Sequence, residues 1–212
     1  MFIFKIIVVF IIAYLIGAIP WGYIIGKFHG IDIREHGSHN IGATNITRTL
    51  GKKWGLICFF IDFLKGFIPT LLMIVLVPSL MNMHGGLEDT GIIFVIFGTI
   101  LGHMYPVYLN FKGGKGVSTG TGALIAISPL GVVCGLIAWI IVYKTTRYVS
   151  LASIIAGIIV PILTIIFSAI GLYHLSITLQ ITICVMGLLI IVKHKSNIVR
   201  LIKGTENKFE KK

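Results

Sequence analysis

Charge is what this chain is short of. Only 12% of its 212 residues are charged, about half the roughly 25% usual in soluble domains, so an ordinary water-soluble globule is excluded. Acidic residues are scarcer still, with 7 Asp+Glu against 18 Lys+Arg for a net charge of +11. The aspartates Asp32, Asp62 and Asp89 fall in different loops or at different depths. The carboxylate cluster that metal-dependent group transfer needs is therefore missing, and neither a metal site nor a cofactor is predicted. Cysteine is rare too. Cys58, Cys134 and Cys184 each lie inside an apolar segment and read as small buried hydrophobes, which excludes a disulfide framework or a zinc site. No repeat or linker divides the chain, and residues 1–212 read as one polytopic membrane domain.

What is present is apolar length. The composition is 56% hydrophobic, with a mean hydropathy of +0.99. Five segments, about 2–26, 54–78, 91–108, 149–170 and 175–193, suit the 17–25 residues of a spanning helix. The first is too long for a signal peptide, has no basic start beyond Lys5 and lacks a small-x-small cleavage site, so it reads as a span. A sixth segment, 117–143, is interrupted by Ser128-Pro129-Leu130-Gly131, which either kinks one span or turns a helical hairpin.

Loop charge decides between these, because basic loops stay cytoplasmic. Connection 27–53 carries Lys27, Arg34, Arg48, Lys52 and Lys53, whereas loop 79–90 has no Lys or Arg. Loop 109–116 holds Lys112 and Lys115, and the tail from Lys193 holds seven basic residues. A single crossing at 117–143 would put Lys144, Arg147 and the basic tail outside. A hairpin of two short helices puts every basic loop inside. The expected fold is an all-α integral membrane bundle of seven helices, five full spans plus the hairpin, with the N-terminus outside and the C-terminus cytoplasmic. Basic excess in such a chain reports orientation and anionic lipid rather than nucleic acid.

The polar chemistry collects in three of these connections. Asn110–Gly120 contains four glycines and two lysines between apolar segments. Glycine lets backbone approach a ligand, and free N–H groups ahead of a helix make an anion cradle. Ser118 and Thr119 are placed to cap that helix or to donate hydroxyls. The Walker A spacing is absent, because Gly116 follows Lys115. The stretch reads as a phosphate-holding loop or as a basic connector. The first loop, Gly37–Arg48, groups Ser38, Asn40, Asn45 and Arg48, with hydroxyl, amide and guanidinium suited to phosphate or carboxylate; the plainer reading is a capped connector with a helix at Asn45–Leu50. The third, His194–Glu206, puts His194 and Asn197 on one helical face, or forms an amphipathic tail lying on lipid. Asp62 and Lys65, at i and i+3 inside a span, read as a pair bracing the bundle. His103 reads as an interior histidine or as an orienter of the glycine loop.

Taken together these stretches resemble a known family. Gly37-Ser38…Asn40…Gly42-Ala43-Thr44-Asn45…Arg48, then Gly102-His103…Pro106-Val107…Phe111–Val117, then His194…Asn197…Arg200-Leu201…Gly204…Glu206 look like the three motifs of bacterial acyl-phosphate:glycerol-3-phosphate acyltransferases of the PlsY type. Asp62…Lys65-Gly66 and Ser150–Ser153 also resemble that family. The resemblance implies a seven-helix enzyme of the bacterial cell membrane, with its site on the cytoplasmic face. Its reaction is acyl transfer from acyl phosphate to the 1-hydroxyl of glycerol 3-phosphate, yielding lysophosphatidic acid and phosphate, the first step of phospholipid synthesis. By position it gives Ser38, Arg48, His194 and Asn197 catalytic roles. Lys112, Gly113, Gly114, Lys115 and Gly116 correspond to its glycerol-phosphate binding loop and Glu206 to a structural residue, while Asn40 and Asn45 read as substrate-binding from their amides and Asp62 and Lys65 as structural from their pairing. Its partners are the two substrates, membrane lipid and the soluble enzyme that makes acyl phosphate. His39 and Ile41 stand where the family commonly has Gly and Pro.

Other readings are weaker. His84–Asp89 fits the H-x-x-x-x-D pattern of acyl-CoA-type glycerophosphate acyltransferases, but it sits in the loop expected outside, so the match is taken as chance. A transporter of a phosphorylated solute would want repeated halves and helices broken at mid-membrane, and no repeat is visible. An acyl phosphate already carries a good leaving group, so the enzyme's tasks are to orient a hydroxyl and to screen phosphate charge. Asp32, Glu35 and Glu206 are the only motif-loop carboxylates. The resemblance makes the substrate phosphate the proton acceptor, with His194 as rival base.

Overall fold

The computed structural model describes residues 2–76 and 87–209. His84–Gly86 of the H-x-x-x-x-D match, most of loop 79–90 and residues 210–212 lie outside that range. The described elements are helical: α1 Phe2–Ala18, α2 Trp21–Phe28, α3 Ala43–Leu50, α4 Lys52–Val75, α5 Leu87–Met104, α6 Val117–Ile125, α7 Pro129–Thr146, α8 Val149–Ala169, α9 Ile177–Lys193 and α10 Lys195–Ile202, with short 3-10 turns at Ile33–Glu35 and Val107–Leu109. By length and composition, five stretches can cross a bilayer: Phe2–Phe28, Lys52–Val75, Glu88–Leu109, Pro129–Thr146 and Val149–Ala169. The α9–α10 pair, bent by 55°, passes the same test only when taken together as one broken span, which brings the count to six.

The chain forms two compact units, residues 1–126 and 127–212. Local chemistry sets the breaks in both. Pro20 lacks an N–H, so α1 stops at Ala18 and the chain resumes as α2. Gly51, at φ 93°, separates α3 from α4. The interruption at Ser128-Pro129 is real, with proline at the start of α7 as its fixed φ favours. The two resulting helices are unequal, however. α6 has 9 residues, about 14 Å against a hydrocarbon core of roughly 30 Å, whereas α7 has a spanning length of 18.

Lipid offers no hydrophobic drive for helix pairing, so small residues must let backbones approach. In the first unit Gly17 of α1 packs on Thr99 of α5, and Gly98 and Gly102 of α5 pack back on Ala13, Tyr14 and Ala18. Gly66 of α4 meets the Thr119 carbonyl on α6, and Gly122 meets the Phe63 carbonyl. Under the first loop, Ile25, Ile33, Ile41, Ile46, Cys58 and Leu109 form an apolar cluster. In the second unit Gly157 of α8 and Gly187 of α9 face one another, and Ser128 Oγ bonds Thr164 Oγ1 at 2.6 Å and the Tyr173 hydroxyl at 2.8 Å. Outward faces are apolar, with Phe4, Phe60, Ile137 and Ile181 all more than half exposed, as lipid contact requires. Of the cysteines only Cys58 is buried; Cys184 is exposed, because a small hydrophobe is equally content facing lipid.

Candidate active site

The first loop is organised by Asn45. It is 1% exposed; its Oδ1 accepts the Ser38 N–H at 2.8 Å, and its Nδ2 donates to the carbonyls of Ile33, His36 and Asn40 at 3.1, 2.9 and 2.8 Å. The residue expected among the substrate ligands thus has its amide committed to the loop's own backbone, where it presents Ser38. Asn40 turns the chain through its Oδ1, which accepts the Gly42 N–H at 2.9 Å. The helix starts at Ala43, two residues before the expected Asn45, so half-buried Arg48 stands in the last turn of α3 rather than near its start. A cation there complements the helix dipole.

His39 adopts φ 57°, a left-handed conformation that favours glycine. Glycine, the residue that the resemblance leads one to expect here, would take this conformation without strain. Histidine is accommodated because Nδ1 donates to the Arg34 carbonyl at 2.9 Å. Arg34 in turn grips Asp32, with Nε 2.9 Å from Oδ1 and Nη2 2.6 Å from Oδ2. That hydrogen bonding holds the Asp32 carboxyl well below the usual carboxylate range and makes it a poor base.

The glycine loop differs from the expected open cradle. Asn110 and Phe111 both adopt positive φ, and Gly116, at φ 79°, is the N-cap of α6. Ser118 and Thr119 therefore lie inside the first turn and cap nothing. Gly114 is buried, and its N–H donates to the His103 carbonyl at 3.0 Å, so this amide is not offered to an anion. A Cβ on Gly113 would meet the same carbonyl and Pro106. These two glycines let the loop fold back on α5. What the loop presents is exposed Lys112, half-buried Lys115 and the start of α6, where the first N–H groups of any helix lack intrahelical acceptors.

In the second unit His194 marks the bend between α9 and α10, 3% exposed, with Nδ1 2.7 Å from the Ile190 carbonyl. A carbonyl only accepts, so Nδ1 carries the hydrogen and neutral imidazole keeps its lone pair on Nε2. Asn197, 4% exposed, donates from Nδ2 to Glu206 Oε1 at 2.7 Å. Ser150 Oγ donates to the same oxygen at 2.8 Å, and Arg200 Nε to Oε2 at 2.7 Å. Burial works against the charged form of Glu206, but the hydrogen bonds from Asn197, Ser150 and Arg200 outweigh it and lower its pKa. The tail is docked as far as it is described: Lys208 lies over the Tyr148 ring, and the Phe209 N–H bonds the Arg147 carbonyl at 3.1 Å.

Comparison with known proteins gives this arrangement its relatives. Residues 7–204 match the glycerol-3-phosphate acyltransferase family. The chain belongs to that family. A glycerol-3-phosphate acyltransferase of Aquifex aeolicus is 42% identical over 94% of this chain and 96% of its own length. One from Acholeplasma laidlawii is 41% identical over 98% and 94%. Crystal structures of PlsY, an integral membrane glycerol 3-phosphate acyltransferase, superpose on the chain in a glycerol 3-phosphate form and a lysophosphatidic acid form. Their TM-scores are 0.83 and 0.81, with 40% and 39% identity over 97% of this chain. Within the PlsY-type family this chain is an integral membrane protein, and the family match runs through both compact units.

Sequence reasoning missed the acceptor set of Asn45 and the partnership of Ser150 with Glu206. A serine in the first turn of a span was visible, but nothing in spacing connects it to a residue 56 positions later.

Proposed function

We propose that the chain transfers a fatty acyl group from acyl phosphate to the 1-hydroxyl of glycerol 3-phosphate, at the cytoplasmic face of a bacterial membrane. O1 attacks the acyl carbonyl, the bond to phosphate breaks with its electron pair, and inorganic phosphate leaves. The hydroxyl proton goes to a phosphate oxygen of the substrate. His194, with its Nε2 lone pair, is the rival acceptor. Support comes from the weakness of two of the three loop carboxylates as bases, since Asp32 is gripped by Arg34 and Glu206 by three donors. The single observation that carries the reading is the basic, backbone-defined loop Lys112–Gly116 leading directly into the N-terminus of α6, in a chain that matches proteins solved with glycerol 3-phosphate and lysophosphatidic acid.

Arg48, Lys112 and Lys115 screen phosphate charge, Ser38 and Asn40 contact substrate, and Asn45 shapes the loop that presents them. Asn197 acts beside His194, with Glu206 fixing its amide. Asp62 and Lys65 brace the first unit. Residues 1–212 serve one reaction, and the topology is seven helices with the N-terminus outside and the C-terminus inside. The soluble producer of acyl phosphate supplies the donor. An acyl-transfer assay on purified protein tests this: acyl phosphate should support lysophosphatidic acid formation, and acyl-CoA should not. Equal or better use of acyl-CoA would overturn the donor assignment.

A further inference from the structure

Asp62, Lys65 and His103 are 1%, 6% and 4% exposed, and acyl transfer as described gives none of them contact with substrate. Ionisable groups at membrane depth are costly and face the protein interior in pairs. Lys65 Nζ lies 2.8 Å from Asp62 Oδ1 and donates at 3.0 Å to the Ile19 carbonyl, beside the break that Pro20 imposes between α1 and α2. His103 Nδ1 stands 3.6 Å from the same Asp62 oxygen, at charge-contact rather than hydrogen-bond distance.

The far side of His103 belongs to the glycine loop. Its carbonyl accepts the Gly114 N–H at 3.0 Å. A Cβ on Gly114 would fall onto Nε2, with ring carbons Cε1 and Cδ2 2.9 and 3.0 Å away. The imidazole is thus enclosed between Asp62 at one nitrogen and Gly114 at the other. At the loop's exit, Gly66, the neighbour of Lys65, packs on the Thr119 carbonyl of α6. One helix, α4, therefore backs both ends of the loop, through Asp62 and His103 at the entry and through Gly66 at the exit.

We infer that His103 is a positioning residue. Backed by Asp62 and Lys65, its imidazole is the spacer that sets where Lys112–Gly116 present their charge to a substrate phosphate. The inference rests on the reading that this loop holds phosphate. It also reassigns the glycine at position 114, whose small size answers the imidazole rather than an approaching ligand.

The test is a double-mutant cycle on the purified full chain, reading KM for glycerol 3-phosphate, kcat and thermal stability. G114A should raise KM about tenfold, since contacting residues couple by amounts of that order. H103N keeps a donor toward Asp62 but removes the distal half of the ring. It should raise KM with kcat held within about twofold, and in its background G114A should cost less than about twofold more. Additive penalties in the cycle would overturn the proposal and leave the loop reading standing. An unchanged KM in G114A would likewise overturn the spacer, because a methyl forced onto the ring would then leave the loop's presentation untouched, whereas an unchanged KM in K112A/K115A would remove the loop reading itself. Should H103N fail to insert, H103Q replaces it. Its longer amide reaches the Nε2 position, so H103Q/G114A should stay as impaired as G114A, and relief of the defect by glutamine would equally refute the spacer.

Discussion

Replacing Glu206 by glutamine changes one atom and one charge, and the structure gives the consequence. Three donors converge on the carboxylate: Asn197 Nδ2 and Ser150 Oγ on Oε1, and Arg200 Nε on Oε2. Glutamine has one acceptor oxygen. If it serves Asn197 and Ser150, its NH2 confronts the Arg200 Nε–H, donor against donor. The lost charge-assisted bond is worth about 1.5–3 kcal/mol. The Arg200 side chain is 35% exposed, so water recovers part of this and the lower end applies. At about 2–4 °C per kcal/mol for a chain of this size, the melting temperature of E206Q should fall by roughly 3–6 °C. E206A leaves the buried donors of Asn197 and Ser150 unpaired as well, at about 1–3 kcal/mol each, and should fall further.

The assay is thermal unfolding of purified protein alongside acyl transfer in the same preparation. Stability should also depend on pH. The folded pKa of Glu206 lies below the free-glutamate value of 4.5, so its contribution is complete above that pH and is lost as pH falls from there through the folded pKa. E206Q should flatten this acid limb. An unchanged melting temperature in E206Q, with kcat reduced, would refute the network account and move Glu206 into the chemistry.

Arg48→Lys keeps the charge and loses the planar fork. If Arg48 clamps phosphate, kcat/KM should drop about ten- to a hundredfold with membrane insertion intact, and near-wild-type activity would leave Lys112 and Lys115 as the ligands. His39→Gly relieves a left-handed φ but loses the bond to Arg34, so its melting temperature should equal or exceed that of wild type. His39→Ala keeps the strain without the bond and should melt lower; the reverse order would refute strain at this position. In a cysteine-free background, cysteines at Thr145 and Thr205 should resist an impermeant thiol reagent in intact cells while one at His174 labels. Labelling at Thr145 from outside would end the proposed topology.

Much of this fold was legible because lipid simplifies the problem. Apolar length marked the spans and Ser128-Pro129 marked one break, while the break at Pro20 inside the first expected span went unread, and few alternatives exist for backbone in hydrocarbon. The glycines that pair the helices, such as Gly17 with Thr99 and Gly157 with Gly187, were not legible. A glycine in an apolar run announces close approach without naming its partner. The polar loops were legible by residue type for the same reason that they were ambiguous in role. Asparagine, serine and arginine serve a ligand and a loop's own carbonyls with the same atoms, and only coordinates show that Asn45 is committed inward.

The glycine loop carries that ambiguity furthest. Four glycines beside two lysines have the composition of an anion cradle, but composition does not say which way an amide points. Gly114 directs its N–H at the His103 carbonyl, Gly113 leaves room for that carbonyl and Pro106, and Gly116 turns the chain into α6 at positive φ. Three of the glycines therefore answer to the protein's own backbone and to one imidazole. On the proposed reading, it is the charge of Lys112 and Lys115 and the first amides of α6 that meet the substrate phosphate. A loop assembled this way is set before substrate arrives, which is the condition under which fixed dipoles and charges stabilise a reaction without reorganising during it. On this account rigidity, rather than the number of amides aimed at the ligand, is what the glycines supply.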